Sequence, residues 1–174
     1  MSQTLPLDPM YTRFRERHPE VTLVLLPGGA NALDAEHTPA MPQDPEAAEH
    51  ELAQTHDEVG LLLTDVCAAI DAEARIEVHW RSGSRYGSVR AVASTHAPLD
   101  LTPEDVFRQL GGLGWHVRFT SRGPVPCLDA RDGDHALRAV IHEGRALLTL
   151  TGPDVAVGPR RSGELVNADG VGRE

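Results

Sequence analysis

Four short segments between Trp115 and Thr151 alternate hydrophobic with polar residues and are separated by turn sequences. Alternation with a period of two is typical of a β-strand that buries one of its faces. In the first segment, for example, Val117 and Phe119 flank Arg118. The pattern predicts a four-stranded antiparallel meander, which carries the clearest structural signal in the chain.

Two turn sequences predict how the strands of the meander align. Asp132-Gly133 and Glu143-Gly144 each favour a two-residue hairpin turn, and such a turn fixes the register of its two strands. The predicted pairs are Leu128 with Leu137, Ala130 with His135, Leu137 with Leu150, Ala139 with Leu148 and Ile141 with Ala146. Because these pairs share one face and nearly all are apolar, that face is predicted to be buried.

The segment before the meander contains two predicted helices and two predicted strands. Asp44-Pro45 and Thr102-Pro103 each place a capping residue before a proline, which is a helix start. The predicted elements are a helix from Asp44 to about Ala72, strands at residues 76–81 and 86–94, and a helix from Thr102 to Gly111-Gly112. The fold class predicted is α+β, an antiparallel sheet in the order α-β-β-α-β-β-β-β with its helices on one face.

Composition divides the chain into four predicted parts. Residues 1–30 form an N-terminal helix-strand arm, whose apolar strand is Val21–Leu26, and residues 31–43 form a proline-containing linker. Residues 44–153 form the α+β domain. Residues 154–174 are rich in glycine and charge and lack aromatic residues, so they are predicted to be a disordered tail.

The charge of the protein limits the classes of partner that it binds. The net charge is −10, which disfavours non-specific binding to nucleic acid or to an anionic membrane. Eleven acidic residues and no arginine or lysine lie between Asp34 and Glu73. The first ten residues lack the pattern of a signal peptide, and no apolar stretch is long enough to cross a membrane, so we expect a cytoplasmic protein.

The polar face of the predicted sheet is the leading candidate for a binding surface. The residues expected there are Arg81, Arg118, Arg138, Arg145, His116 and His142. Three interpretations stay open: a solvated polar face, a docking surface for an anionic partner, or a metal site built from His79, His116 and His142. The metal site requires that the strands carrying these histidines be neighbours.

The sequence contains no recognisable catalytic motif, and no cofactor is predicted. Asp129, Asp132 and Asp134 are spaced like calcium ligands, but Arg131 and Gly133 stand where a calcium loop needs oxygen donors. The three aspartates are therefore interpreted as a hairpin tip.

Residues 86–152 resemble a domain that recurs in small actinobacterial lipoproteins and in some toxin-neutralising immunity proteins. The shared features are Thr102-Pro103 with Val106 and Leu110, Gly114-Trp115 before a strand, Leu128-Asp129 with Gly133, and a closing Thr151-Gly152-Pro153. The resemblance implies a non-enzymatic binding domain. Since the signal peptide and lipidation cysteine of those lipoproteins are missing, membrane anchoring is not carried over.

These observations favour a non-catalytic protein-binding module, such as an immunity protein, an antitoxin or a secretion-system accessory protein. The expected partner is another protein or a second copy of the chain. Contact is made either by the acidic face of the long helix or by the arginine and histidine face of the sheet. The alternative is a small metal-dependent or phosphate-handling hydrolase that uses the outward histidines and arginines.

Overall fold

The computed structural model describes residues 38–170, which form three helices and one six-stranded sheet. The helices are α1 (Pro45–Ala69), α2 (Pro103–Gly112) and α3 (Pro159–Gly170). The strands are β1 (Glu77–Ser82), β2 (Ser88–Pro98), β3 (His116–Ser121), β4 (Cys127–Asp132), β5 (His135–His142) and β6 (Arg145–Ala156). The predicted α+β class and its order of elements are confirmed, and α3 is an addition to them. The predicted helix-strand arm, with Val21–Leu26, lies outside the described residues.

The sheet is antiparallel throughout, with the strand order β1-β2-β6-β5-β4-β3. Helix α1 packs on β6, β2 and β1, α2 packs on β3, and α3 packs on β1 and β2. The apolar residues of all three helices pack against the same face of the sheet. We call this the inner face and the opposite one the outer face. Among the described residues, no helix is long and apolar enough to span a membrane.

Both predicted helix starts are confirmed by their capping interactions. The carboxylate of Asp44 accepts a hydrogen bond from the backbone N–H of Glu46 at 2.9 Å. Thr102 and Asp105 form a reciprocal capping box at the start of α2. These side chains satisfy N–H groups that the first turn of a helix leaves without partners.

The register of the meander is as predicted at one hairpin and shifted at the other. At Glu143-Gly144 the predicted pairs are confirmed, for example Leu137 opposite Leu150. At the other hairpin the prediction is wrong by two residues, because the turn is Gly133-Asp134 and Leu128 lies opposite Ala139. Gly133 has a φ of +53° at the first turn position, where a type II′ turn requires glycine. A shift of two keeps every side chain on its predicted face.

The predicted disordered tail is wrong for residues 154–170. Strand β6 continues to Ala156, and α3 follows it. Leu165 and Val166 of α3 pack against a buried cluster of Leu52, Val89, Val155 and Val157. The guanidinium of Arg161 donates to both carboxylate oxygens of Glu49, at 2.8 and 2.9 Å. One short apolar pair is a weak helix signal in sequence, and the partners that stabilise this helix are distant along the chain.

Gly152-Pro153 lies inside β6 because the strand bulges there. The β2–β6 register shifts between Arg90 and Val92, so that two residues of β6 face one residue of β2. The pairing of β6 with β5 ends at Thr151, so Pro153 takes no place in that ladder. A proline is tolerated at such a bulge because no ladder hydrogen bond needs its missing N–H.

Candidate binding surface

Arginines dominate the charged residues of the outer face. Alternation along each strand sends hydrophobic residues to the helices and leaves the residues between them on the outer face. The outer-face arginines are Arg81, Arg90, Arg118, Arg131, Arg138 and Arg145. All of them except the half-buried Arg90 are exposed. The outward orientation predicted for Arg81, Arg118, Arg138 and Arg145 is therefore confirmed.

Arg118, Asp129 and Arg138 form a row across β3, β4 and β5. Their Cα atoms are direct cross-strand partners. Arg138 donates from Nε to Asp129 Oδ1 at 2.9 Å and from Nη2 to Oδ2 at 3.4 Å. Arg118 Nη2 lies 3.6 Å from Asp129 Oδ2, and its side chain is 70% exposed. One carboxylate thus positions two guanidinium groups, and both keep donors directed to solvent.

The two arginines keep this carboxylate ionised. Hydrogen bonds from Arg138 lower the pKa of Asp129 from its ordinary value, and the charges of Arg138 and Arg118 lower it further. Asp129 in turn raises the pKa of Arg138. The row therefore carries two positive charges and one negative charge at neutral pH.

A second row extends the positive surface. His116 on β3 is the direct partner of Arg131 on β4, which is the partner of Ala136 on β5. The two rows line an open depression of about 700 Å³ whose other lining residues include Thr149 and Thr151. We call His116, Arg118, Asp129, Arg131 and Arg138 the arginine cluster.

The remaining predicted binding residues lie away from the arginine cluster. His142 is the cross-strand partner of Arg145 at the β5–β6 turn, and Arg145 Nη2 lies 3.1 Å from His96 Nδ1. Arg81 is on β1 and donates from Nε to Nε2 of His79 at 3.1 Å. The structure thus brings together His116, Arg118 and Arg138, and separately His142 and Arg145.

The three histidines of the metal-site alternative do not converge. His79 and His116 are at opposite ends of one cross-strand row, on the two edge strands. Five strand spacings separate them, or roughly 24 Å. His142 lies six residues further along β5 than that row, or roughly 20 Å away. Within residues 38–170, no three histidine, cysteine or acidic residues are grouped closely enough to hold a metal ion.

The sequence interpretation missed two members of the arginine cluster. The hairpin-tip interpretation is wrong for Asp129, which lies within β4 and pairs with strands on both sides. The signal that identifies its role is the alternation of Leu128 and Ala130, which are both buried. Their inward orientation directs Asp129 and Arg131 to the outer face, beside Arg118 and Arg138.

Comparisons with protein-family models, curated proteins and solved structures give no match to this chain.

Proposed function

We propose that this protein is a non-catalytic binding module whose outer sheet face docks an acidic surface of another protein. One observation carries the proposal. The described helices all pack on the inner face, and the outer face presents exposed arginines although the net charge of the chain is −10. A concentration of positive charge on one open face is complementary to an acidic surface of a partner.

The chemistry of the arginine cluster suits carboxylate recognition. A guanidinium group binds a carboxylate through two parallel N–H donors, and a fixed orientation reduces the entropy lost on binding. Asp129 holds Arg138 through two hydrogen bonds and attracts Arg118. Neighbouring Thr149 supplies a hydroxyl on the same row. A glutamate or aspartate of the partner therefore meets donors that are already oriented.

A protein partner is favoured over nucleic acid by the remaining charges. The acid-rich surface of α1 opposes a long polyanion, which would extend beyond the outer face, more than it opposes a local acidic patch on a protein. We place the protein in the cytoplasm, as an immunity protein, an antitoxin or a secretion-system accessory protein. Two features support this class: the resemblance of residues 86–152 and the dispersed positions of the histidines that the hydrolase alternative needs.

A comparison of two arginine variants tests the proposal. The tagged full chain, used as bait in extract of its native host, is compared with Arg118→Gln/Arg138→Gln and with Arg108→Gln. Arg108 is the matched control, because it is 76% exposed and ion-paired to Asp105 but lies on α2. We expect a protein that the wild type captures to bind the control equally and the double variant about tenfold or more weakly. Binding should also weaken as salt is added.

Two results contradict the proposal. The first is equal retention of every captured protein by the double variant and the wild type. The second is capture that disappears when the extract is treated with nuclease, since the partner is then nucleic acid.

A further inference from the structure

Strand β3 lies at one edge of the sheet that residues 38–170 form. It pairs with β4 along one side, and within the part of the chain that is described no strand pairs with the other. The sequence of β3, HVRFTS, contains no proline that would block further pairing. Its backbone N–H and C=O groups on the free side are a template for one more strand.

The inner side of this edge carries mainly apolar, partly exposed side chains, and the Arg122 guanidinium lies 4.2 Å from the centroid of the Phe119 ring. Val117 and Phe119 of β3 are half-buried and pack against the core. The Phe119 ring stacks on Phe107 of α2 with 5.4 Å between centroids, and Phe107 is 38% exposed. An added strand would continue this surface, since its inner-face side chains would lie beside Val117 and Phe119.

The outer side of the same edge is cationic. His116 and Arg118 are the last members of the two rows of the arginine cluster. A further strand would place one side chain directly beside each of them, at a Cβ separation of about 5 Å. Arg118 makes one long contact, 3.6 Å from Asp129, so its guanidinium is available to a carboxylate there.

We propose that β3 takes up an extended segment of the protein partner as a seventh strand of the sheet. That segment has acidic residues at alternate positions, beside His116 and Arg118, and apolar residues between them, beside Val117 and Phe119. This inference rests on the proposed function and names its mode of binding. Pairing of β3 with β3 of a second copy is disfavoured, because it places the cations of both copies side by side.

Hydrogen exchange of the backbone amides in the full-length protein tests the proposal. The probe is an end-blocked octapeptide of alternating glutamate and valine, with two control peptides. One control carries N-methyl groups on alternate backbone nitrogens, and the other has lysine in place of glutamate. We expect the glutamate peptide to slow exchange of alternate β3 amides by about tenfold or more at saturation. The N-methylated peptide should protect no β3 amide, and the lysine peptide should bind more weakly.

Protein variants separate the charge contribution from the backbone contribution. We expect Arg118→Gln to weaken binding of the glutamate peptide about threefold, in line with one exposed ion pair, and Arg108→Gln to leave it unchanged. Protection of β3 without peptide, together with a dimer in sedimentation, would mean that a second copy occupies the edge and would overturn the proposal. Unchanged exchange in β3 at about 1 mM peptide, well above the range of specific complexes, would also overturn it.

Hydrogen exchange and partner binding, measured together with the host partner, distinguish this inference from the proposed function. If the host partner requires Arg118 and Arg138 but leaves β3 amides unprotected, the docking surface stands and strand addition is rejected. If the host partner binds the double variant as well as the wild type, the docking surface itself is rejected.

Discussion

Leu148→Ala is expected to lower the free energy of unfolding by about 2–5 kcal/mol, the range found for truncation of a buried leucine. Leu148 lies on β6, an interior strand, opposite Ala139. Its side chain is 0% exposed and belongs to the main core cluster between sheet and helices. Removing it leaves a cavity that the rigid sheet cannot close. Chemical denaturation followed by circular dichroism measures the loss.

The adjacent residue provides the matched control. Leu147 lies on the outer face and is 46% exposed, so Leu147→Ala is expected to change the free energy of unfolding by less than about 0.5 kcal/mol. Equal destabilisation by the two substitutions would mean that the outer face is covered, and the assignment of faces would be wrong.

Gly152→Ala is expected to destabilise the fold by about 1–3 kcal/mol, although it adds a single methyl group. A Cβ at position 152 would lie 2.6 Å from Cγ2 of Val59 on α1. Val59 is fully buried and β-branched, and its χ1 is restricted in a helix, so it cannot turn away cheaply. Either α1 must move away from the sheet or the bulge in β6 must change. The midpoint of urea denaturation measures the effect.

Gly60→Ala is the control for this contact between α1 and the sheet. A Cβ at position 60 would meet Cγ2 of Val78 at 3.4 Å, an ordinary van der Waals distance. Because alanine is the better helix former, by up to about 1 kcal/mol, this substitution is expected to be neutral or stabilising. The packing described for α1 would be contradicted if Gly152→Ala left the stability unchanged and Gly60→Ala lowered it.

Local signals in the sequence predicted the elements and their faces well. Thr102-Pro103 and Asp44-Pro45 begin helices because the capping side chains are local to each turn. The register at Glu143-Gly144 is predictable because a local turn sequence sets it. Both residues adopt positive φ, at 49° and 70°, as a type I′ turn requires. At the other hairpin the turn lies one residue closer to the C-terminus than predicted. The strand pairing therefore shifts by two residues, and each side chain stays on its predicted face.

Features that depend on distant contacts were not predictable in the same way. Strand order cannot be read from alternation, so the separation of His79 from His116 became evident only in the structure. Helix α3 depends on Leu52, Val89 and Glu49, which are far away in the sequence. The role of Asp129 depends on β3 and β5 lying on either side of β4, because only that order places two arginines beside one carboxylate.

Side-chain footprinting of the complex tests the central claim most directly, because it asks which surface the partner covers. Arginines are labelled with phenylglyoxal and carboxylates with a carbodiimide, with and without the captured partner, and the labelled sites are quantified by mass spectrometry. We predict that the partner protects Arg118, Arg131 and Arg138, leaves Arg108 reactive, and leaves exposed α1 carboxylates such as Glu51 and Asp65 reactive. Protection of the α1 carboxylates with unchanged labelling of the arginine cluster would contradict the account, because the acidic helix would then be the docking surface.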